Sequence, residues 1–526
     1  MSELDNPWPT LPLATLAREM CLGKMLDKQK NRGALQPYLR NVNVRWFSFD
    51  LNDLKEMRFE DGEAARYELQ PGDLVICEGG EPGRAAVWRG SAHNARIQKA
   101  LHRVRFHPDE YNPNFAMYYL YFAAITNRLT PHYTGTTIKH LTGAALAKVR
   151  FPIPPLSEQR RIVAKIEELF SDLDAGVVTL ERVRANLKRY RAAVLKAAVE
   201  GKLTEDWRAQ HPSTEPASVL LERILTDRHR QWEMITRLKM KAQGKVAKNE
   251  KWKDQYRPPL KPRVEHLKKL PDGWIWTSAG ELCECVVPNR DKPKTFTGSI
   301  PWITLPDLSE TTVLAGSRSG LGLSQQEVTA YKAKVIPKGN VIMSCIGRFG
   351  IAVVLGCDAV INQQLHAFLV PEGLLPKYLV YSIVNQEAYM TAISTSTTIA
   401  YLNQDNCNSV PVSLPSTDEQ GVIVAEVERR LSIVDEIEAQ VDADLKRAAR
   451  LRQGILKRAF EGRLVPQDPT DEPAEKLLER IRRERQSPNV LHDAVRQRRT
   501  GSVRKLQPPA QLLLPVIGLA DPRGDK

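Results

Sequence analysis

The sequence lacks the motifs that nucleotide-hydrolysing and dinucleotide-binding enzymes require. Its 526 residues contain no G-x-x-x-x-G-K-[ST] phosphate loop and no G-x-G-x-x-G turn after a strand. Neither H-E-x-x-H nor G-x-S-x-G occurs, so zinc-peptidase and serine-hydrolase chemistry have no carrier. Asn112-Pro113-Asn114-Phe115 differs at its third residue from the loop of amino-methyltransferases, and we interpret it as a surface turn. The sequence therefore favours binding over catalysis.

Cysteine is sparse, and long apolar runs are absent. Among seven cysteines only Cys283 and Cys285 lie close together, without the second pair or histidines of a zinc site. We therefore expect reduced thiols in a cytoplasmic protein and no bound metal. The first ten residues are acidic and broken by proline, unlike a signal peptide. The apolar stretch at 511–520 falls short of the roughly 20 residues that span a bilayer, so we expect no membrane association.

The charge is unbalanced in favour of cations. There are 76 Lys and Arg against 62 Asp and Glu, which gives a net charge of +14. With 42% hydrophobic and 26% charged residues the composition is that of an ordinary globular protein. A basic protein of this kind favours a polyanionic partner, most simply nucleic acid.

A long internal repeat organises the chain. Residues 157–203 align without a gap with residues 418–464, at an offset of 261, with 16 identities in 47 positions. The match extends upstream, where Thr137-Ile138 pairs with Thr398-Ile399. Because the period is about 260 residues, the repeat indicates duplication of a whole domain with its trailing helix.

Each repeated segment predicts one long helix. Apolar residues recur at three- and four-residue steps from Ile162 to Val194 and from Val427 to Ile455. Ser157 and the pair Ser416-Thr417 suit the starts of these helices, and Gly201 and Gly462 suit their ends. Since neither helix can bury its apolar stripe alone, we predict that the two pack as an antiparallel coiled coil. The segments before them combine short apolar runs with turn residues, which predicts an α+β chain with two mixed domains.

Candidate binding residues recur at matching places in the two halves. Residues 38–46 alternate apolar residues with Arg and Asn, and residues 300–308 occupy the same place, so each predicts a strand presenting polar groups to base edges or phosphates. Gly83-Arg84 and Gly347-Arg348 each follow a strand, where Arg suits a phosphate. Amide-rich and hydroxyl-rich turns follow in both halves. The candidate DNA-binding residues are Arg40, Asn41, Asn43, Arg45, Arg84, Gln98, Lys99, Thr136, Thr137, Lys139, Trp302, Thr304, Arg348, Asn362, Gln363, Gln364, Thr397 and Thr398.

A structural interpretation of the same residues stays open. The alternating segments also fit half-buried strands with one solvated face, and the amide and hydroxyl side chains also fit local caps.

At this point the chain resembles a known family. The motifs are Pro-Tyr-Leu-Arg-Asn-Val-Asn-Val at 37–44, Pro-Pro-Leu-Ser-Glu-Gln-Arg-Arg-Ile-Val at 154–163, Glu-Gly-Lys-Leu at 200–203 with Glu-Gly-Arg-Leu at 461–464, and Glu-Pro-Ala at 472–474 before Leu-Leu-Glu-Arg-Ile at 477–481. These motifs resemble those of the DNA specificity subunits of type I restriction-modification systems. The resemblance covers roughly residues 10–485 of the chain.

The resemblance implies a plan of two target recognition domains, each followed by a long helix, and the repeat gives their boundaries. The first target recognition domain is predicted at 1–156 with a long helix at 157–203, then a helical and basic linker at 204–270. A second target recognition domain at 271–416 and a second long helix at 417–464 follow, with a C-terminal helix and basic tail at 465–526. The linker and the tail are long for the family.

The resemblance also implies a role and partners. The chain itself would catalyse nothing and bind no cofactor. It would read a bipartite target on double-stranded DNA and direct two modification subunits, which methylate adenine with S-adenosylmethionine, and restriction subunits, which use ATP and Mg²⁺. The helix pair would fix the gap between the half-sites.

Two alternatives stay open: a non-catalytic coiled-coil scaffold, and a specificity module of another restriction-modification type. Salt-dependent, sequence-specific DNA binding distinguishes a reader from a scaffold. If each domain reads one half-site, Arg40→Ala and Arg348→Ala weaken recognition of different halves.

Overall fold

The structure is a computed structural model that describes residues 7–27, 31–90, 95–244, 250–262, 267–289, 292–308, 313–395 and 399–486. The first part of the chain mixes short strands and helices before one long helix. The strands are β1 (Thr10–Pro12), β2 (Ala17–Leu22), β3 (Ala34–Leu39), β4 (Val44–Arg45), β5 (Ser48–Phe49), β6 (Lys55–Phe59), β7 (Leu74–Cys77), β8 (Ala85–Val87), β9 (Arg96–Ile97), β10 (Leu101–Phe106) and β11 (Arg150–Pro152). The helices are α1 (Leu13–Leu16), α2 (Asp61–Tyr67), α3 (Pro113–Ile125), α4 (Gly143–Leu146) and α5 (Leu156–Val199), with 3-10 turns at Asn41–Asn43 and Thr130–His132.

The second part repeats this order behind a helical linker. Its helices are α6 (Glu205–Gln210), α7 (Ala217–Ala242), α8 (Ala279–Leu282), α9 (Gln325–Ala330), α10 (Pro376–Val384), α11 (Glu387–Ile393), α12 (Gln404–Asn408), α13 (Thr417–Phe460) and α14 (Ala474–Gln486), with 3-10 turns at Glu250–Gln255 and Leu305–Asp307. The strands are β12 (Ile275–Ser278), β13 (Glu284–Val286), β14 (Ile300–Ile303), β15 (Val313–Leu314), β16 (Gly322–Leu323), β17 (Val341–Ser344), β18 (Ala352–Leu355), β19 (Val360–Ile361), β20 (Leu365–Leu369) and β21 (Pro411–Leu414).

The chain forms two compact units. Unit 1 combines residues 1–178 with 445–526, and unit 2 is residues 179–444. In unit 1 the main sheet has the order β2-β10-β7-β8 and a second sheet has the order β6-β3-β9. In unit 2 the corresponding sheets are β13-β20-β17-β18-β15 and β16-β14-β19. The small pairs β1-β11 and β12-β21 also correspond. The two units are therefore built to one plan, as the repeat predicts.

The core of each unit also includes the C-terminal end of one long helix and a helix that follows it in the sequence. The core of unit 1 includes Leu456 and Phe460 of α13 and Leu477 of α14. Phe460 packs against the rings of Phe115, Tyr119 and Phe122 of α3, with centroids 5.3 to 5.4 Å apart. Unit 2 is completed in the same way by the end of α5 and by Leu220 and Ile224 of α7.

The two long helices pair antiparallel, and the predicted fold is confirmed. In unit 1 Arg452 of α13 lies over the ring of Phe170 of α5 (4.7 Å) and forms an ion pair with Asp174. In unit 2 Arg191 of α5 pairs with Asp435 and Glu438 of α13. At an offset of 261, the pair Arg191–Asp435 corresponds to Arg452–Asp174.

The ends of the helices follow their predicted signals in most details. Gly201 and Gly462 have φ of +71° and +69°, which suits a glycine after a helix end. The hydroxyl of Ser416 accepts a hydrogen bond from the amide of Glu419 at 3.2 Å. Ser157 does not cap its helix, which begins one residue earlier; its hydroxyl donates to Asp471 instead.

Other sequence expectations are corrected. Residues 38–46 are not one strand, because β3 ends at Leu39 and a 3-10 turn follows. Asn112 is not in a simple surface turn, because its side chain accepts from the amides at the start of α3 and caps that helix. The stripe of α13 is buried at Val434, Val441 and Ala448 as well as where the helix enters a core, whereas Tyr190, Ile437 and Leu451 are exposed.

The domain boundaries stay a prediction, because the compact units divide the chain within the long helices rather than at their ends. Among the described residues, no helix combines the length and the apolarity that crossing a membrane requires.

Candidate nucleic-acid interface

In unit 1, four loops meet at one end of the two sheets. We call residues 40–46, 78–84, 98–100 and 134–140 the first loop cluster. They meet because β3 and β9 are parallel and end together, while β7 ends beside the start of its antiparallel neighbour β10. The amide of Leu141 donates to the carbonyl of Glu78 (2.7 Å). Asn41 Nδ2 donates to the carbonyl of Gly79 (2.9 Å).

Unit 2 repeats the arrangement with the same backbone bonds. The second loop cluster is formed by residues 304–308, 345–351, 362–364 and the described part of 395–402. The amide of Leu402 donates to the carbonyl of Cys345 (2.8 Å), as Leu141 does to Glu78. The amide of Asn362 donates to Ile303 (3.0 Å), as Gln98 does to Leu39 (3.2 Å). Sequence-predicted residues from separate segments are thus brought together in each unit.

Asn43 is buried and closes the turn that follows β3. Its Oδ1 accepts from the amide of Arg40 (2.9 Å), and its amide group donates to the carbonyl of Asp50 (3.0 Å). Asp307 holds the same place in unit 2, where its carboxylate accepts from the amide and hydroxyl of Thr304, both at 2.7 Å. Burial raises the pKa of Asp307, but hydrogen bonds from Thr304, Arg318 and Ser317 together outweigh it, so the pKa lies below its usual range. Asn43 and Thr304 therefore hold the turns in the free chain.

Trp302 is also directed inward. It is buried in a small core and packs against the ring of Phe296, with centroids 5.9 Å apart. Neither Asn43 nor Trp302 presents its side chain at the surface of a loop cluster.

The two Gly-Arg pairs do not occupy equivalent positions. The amide of Cys77 donates to the carbonyl of Arg84, and the amide of Ser344 donates to that of Ile351, so Arg84 corresponds to Ile351. Counting back along both loops, Arg348 corresponds to Glu81. The expected match of Arg84 with Arg348 is therefore wrong, because the sequence aligned identical residues and the hydrogen bonds set a different register.

The two arginines also differ in what they contact. Arg84 is held by the protein, since its guanidinium donates to Glu81 and to the carbonyl of Asn41, both at 2.9 Å. Arg348 is exposed, and no hydrogen bond or ion pair ties it to the part of the chain that the structure describes. Arg348 is free to contact a phosphate, whereas Arg84 first has to leave its partners.

The remaining cations of the first loop are partly neutralised. Arg40 Nη2 lies 2.7 Å from the carboxylate of Asp53, whose pKa is lowered by hydrogen bonds from Lys55 and then from Arg40. Arg45 is exposed, and its guanidinium lies 3.8 Å from Asp50.

The turn and hairpin residues lie mostly at the surface. Lys99, Thr136, Thr137 and Lys139 are exposed, and Gln98 is half-buried. Asn362 donates to the side chain of Gln364 (3.0 Å), and exposed Gln363 donates to the carbonyl of Asn289 (3.4 Å). Thr397 and Thr398 lie outside the described residues.

A buried histidine lies behind each cluster, and sequence reasoning missed both. His102 Nε2 lies 3.0 Å from the carbonyl of Leu141, and His366 Nδ1 lies 3.2 Å from Cys407 Sγ. Burial lowers the pKa of His102 and lowers that of His366 to about 4. The sequence did contain one signal for these histidines. Each follows a leucine at the start of a strand, and the two Leu-His pairs are 264 residues apart.

Glu81, His140 and Tyr401 also belong to the clusters and were not singled out from the sequence, and Ile138 was noted there only as part of the repeat. The described residues contain no group of three or more potential ligands that could hold a metal ion. The seven cysteines are free thiols, and burial raises the pKa of Cys285 to about 12.

The chain consists of two modules that share one plan. Each has polar loops at one end of its sheets and contains part of the long-helix pair. This arrangement is that of a binding protein with two sites. A family model described as the type I restriction modification DNA specificity domain matches residues 95–181 and 271–447. The match covers half of the chain. The protein belongs to this family, and it is therefore a DNA specificity subunit rather than a catalytic one.

Individual relatives extend the match along the chain. The type I restriction enzyme EcoBI specificity subunit of Escherichia coli is 26% identical over 433 residues, covering 80% of this chain and 81% of that protein. The StySPI specificity subunit of Salmonella potsdam is 25% identical over 513 residues, covering 92% and 96%. A chain from a solved structure on the assembly and conformational transition of a type I R-M system has a TM-score of 0.58 at 20% identity, covering 88% of this chain and 100% of that one. That likeness shows a shared fold.

Proposed function

We propose that the chain reads a bipartite DNA target, with one half-site bound by each loop cluster. The observation that supports this most strongly is that the clusters share their backbone bonds but differ in their exposed side chains. Glu81 in unit 1 is replaced by Arg348 in unit 2, and Lys99 is replaced by Gln363. A common frame with different polar groups suits two readers of different base sequences.

The proposed contacts divide into two kinds. The exposed cations Lys99, Lys139 and Arg348 are placed to pair with phosphates, which fixes the register of the protein on DNA. The amides of Gln98, Asn362 and Gln363 suit base edges. Arg40, Asn41, Arg45, Arg84, Gln364 and the threonines of the hairpins complete the proposed interface.

The proposal includes partners that carry the chemistry. Two modification subunits methylate adenine with S-adenosylmethionine, and restriction subunits use ATP and Mg²⁺, all in the cytoplasm. The target recognition domains are residues 1–156 and 271–416. The α5–α13 pair sets the gap between the half-sites, because each helical residue contributes about 1.5 Å of length.

The first experiment is to map adenine methylation across the genome of the source cell, with and without this gene, by single-molecule sequencing. Loss of one gapped, two-part motif on deletion supports the proposal and reveals the target. An unchanged methylome is followed by binding of the purified complex to random DNA, and absence of sequence preference there contradicts the proposal.

A further inference from the structure

Both loop clusters contain the same closing pair of residues, which we call the hairpin of each cluster. Thr134 and His140 close the first one, since the amide of each donates to the carbonyl of the other at 2.8 Å. Thr395 and Tyr401 close the second with the same two bonds, at 3.0 and 3.1 Å. The hydroxyl of Thr134 also donates to the carbonyl of His140, and that of Thr395 to the carbonyl of Tyr401, both at 3.3 Å. The hairpins are thus equivalent although other residues of the clusters differ.

An isoleucine is exposed at the same register of each hairpin. Ile138 is 65% exposed and Ile399 is 61% exposed. A single apolar side chain at a protein surface is ordinary. The same β-branched residue at the same register of two modules, beside positions that have changed charge, indicates a contact that both modules share.

The hairpins are fixed to the sheets behind them. The residue that follows each closing pair, Leu141 or Leu402, is fully buried and bonds to the end of β7 or β17. In unit 1 a side-chain carbon on Gly79 would lie 3.0 Å from the His140 ring. Because isoleucine has few rotamers, each tip presents a stiff apolar group.

The surroundings of the tips suit DNA better than a protein surface. Thr136, Thr137 and Lys139 beside Ile138 are exposed polar groups that can bond phosphate oxygens. The amide of Gly347, next to the free Arg348, donates to the carbonyl of Ala400 (2.8 Å), beside Ile399. Val42 (53% exposed) in the first cluster and Tyr401 (39% exposed) in the second are also exposed. Two such side chains still form a smaller apolar area than the centre of a protein interface.

We propose that Ile138 and Ile399 are wedges that insert between neighbouring base pairs, one in each half-site. Isoleucine is among the residues that proteins insert in this way to unstack and kink a duplex. The contact does not depend on base sequence, which accounts for its presence in both modules. This inference rests on the proposed function, because it requires that both clusters bind DNA.

The test uses the full chain in complex with its modification subunits and target duplexes carrying 2-aminopurine at successive positions. In the wild-type complex we expect a rise in fluorescence at one step of each half-site other than the methylated adenine, which methyltransferases themselves flip out of the duplex. The rise is expected because the analogue brightens when it is unstacked. Ile138→Ala removes the rise in one half-site and Ile399→Ala removes it in the other. Each weakens binding to intact duplex about tenfold, and a mismatched pair at that step restores binding to within about twofold.

Two sets of variants control for general effects. Ile138→Leu and Ile399→Leu retain the wedge and keep the fluorescence rise. Ile433→Ala and Val178→Ala remove exposed apolar side chains from the long helices (47% and 58% exposed) and leave DNA binding unchanged.

Unchanged affinity and fluorescence in the hairpin variants overturn the wedges while the proposed function stands. Loss of modification subunits from these variants, with DNA binding retained, shows instead a protein-docking tip and also overturns the wedges. Absence of sequence-specific binding by the wild-type complex overturns both proposals.

Discussion

At the residue scale, the exchange of Glu81 for Arg348 is the clearest difference between the two clusters. Both residues follow a glycine with positive φ, Gly80 at +76° and Gly347 at +75°, so the backbone is the same while the charge is inverted. In unit 1 the carboxylate accepts from Trp46 and Arg84. In unit 2 no described residue forms a hydrogen bond or ion pair with the guanidinium of Arg348. We infer that the second cluster depends more strongly on phosphate attraction.

Arg348→Ala is expected to weaken DNA binding about tenfold and to reduce the slope of log affinity against log salt by about one. The reason is that one exposed cation is removed, for which the described part of the chain offers no ion-pair partner. Lys338→Ala is the control, because Lys338 is an exposed cation at the opposite end of β17. Binding titrations at several salt concentrations measure both quantities, and equal effects of the two variants would contradict the assignment.

His366 makes unit 2 sensitive to acid. Its folded pKa of about 4 lies below the ordinary value of 6.5, so the unfolded chain binds more protons between these values. Stability is therefore complete above pH 6.5 and is lost as pH falls through 4, by about 3 kcal/mol in total. His366→Gln removes this part of the pH dependence. Thermal unfolding between pH 7 and 4.5 measures it, and an unchanged pH profile in the variant would contradict the assignment.

Single residues show where sequence reasoning reaches its limit. The alternation in residues 38–46 predicts a strand with Asn43 outward, yet the strand ends early and Asn43 turns inward to cap the turn. A polar side chain near a strand end can face either solvent or the backbone, and only the turn geometry decides. Conversely, the match of Ile138 with Ile399 was visible in the sequence, but their exposure was not.

At the element scale, the long helices were predictable because periodicity, start signals and terminal glycines agree over more than 40 residues. The exposed positions Tyr190, Ile437 and Leu451 were not, because the helix periodicity does not show which turns meet a globular core. Short strands of two to four residues, such as β9 and β19, carry too few side chains to be recognised by alternation.

Arg452→Ala is expected to destabilise unit 1 by about 1–2 kcal/mol, mainly because the guanidinium no longer packs on Phe170. The ion pair with exposed Asp174 adds little, since water screens it. Arg450→Ala two residues away is the control, because Arg450 is exposed on the same helix. Thermal unfolding of both variants tests this, and a comparable loss in the control would show that charge rather than packing is responsible.

At the scale of the whole molecule, the repeat revealed two modules, while the order of their strands required the structure. The recognition segments have diverged so far that their sequences align weakly, yet most of their strands correspond; among the described residues only β15 of unit 2 and the β4-β5 pair of unit 1 have no counterpart. Strand pairing depends on backbone hydrogen bonds, which do not require particular side chains. Many combinations of apolar residues can therefore fill the same core.

The proposed spacing role predicts the effect of lengthening both helices. One heptad inserted after Val178 and another after Asp444 keeps the apolar face in phase and adds about 10 Å, or about three base pairs. The same two half-sites are expected in the methylome, separated by a longer gap. An unchanged gap, or altered half-sites, would contradict the proposal; the control is the same heptad inserted after Gly244 in the linker.

The helices that complete unit 1 have a consequence for how the chain is made. Leu456, Phe460 and Leu477 belong to its core, but they leave the ribosome about 340 residues after Phe115 and Phe122. At roughly 5–20 residues per second this delay is on the order of 20–70 s. Unit 2, which is continuous in sequence, has all of its core available earlier. The domain synthesised first is therefore the last to close, and in the interval its aromatic surface is open to chaperones or to aggregation.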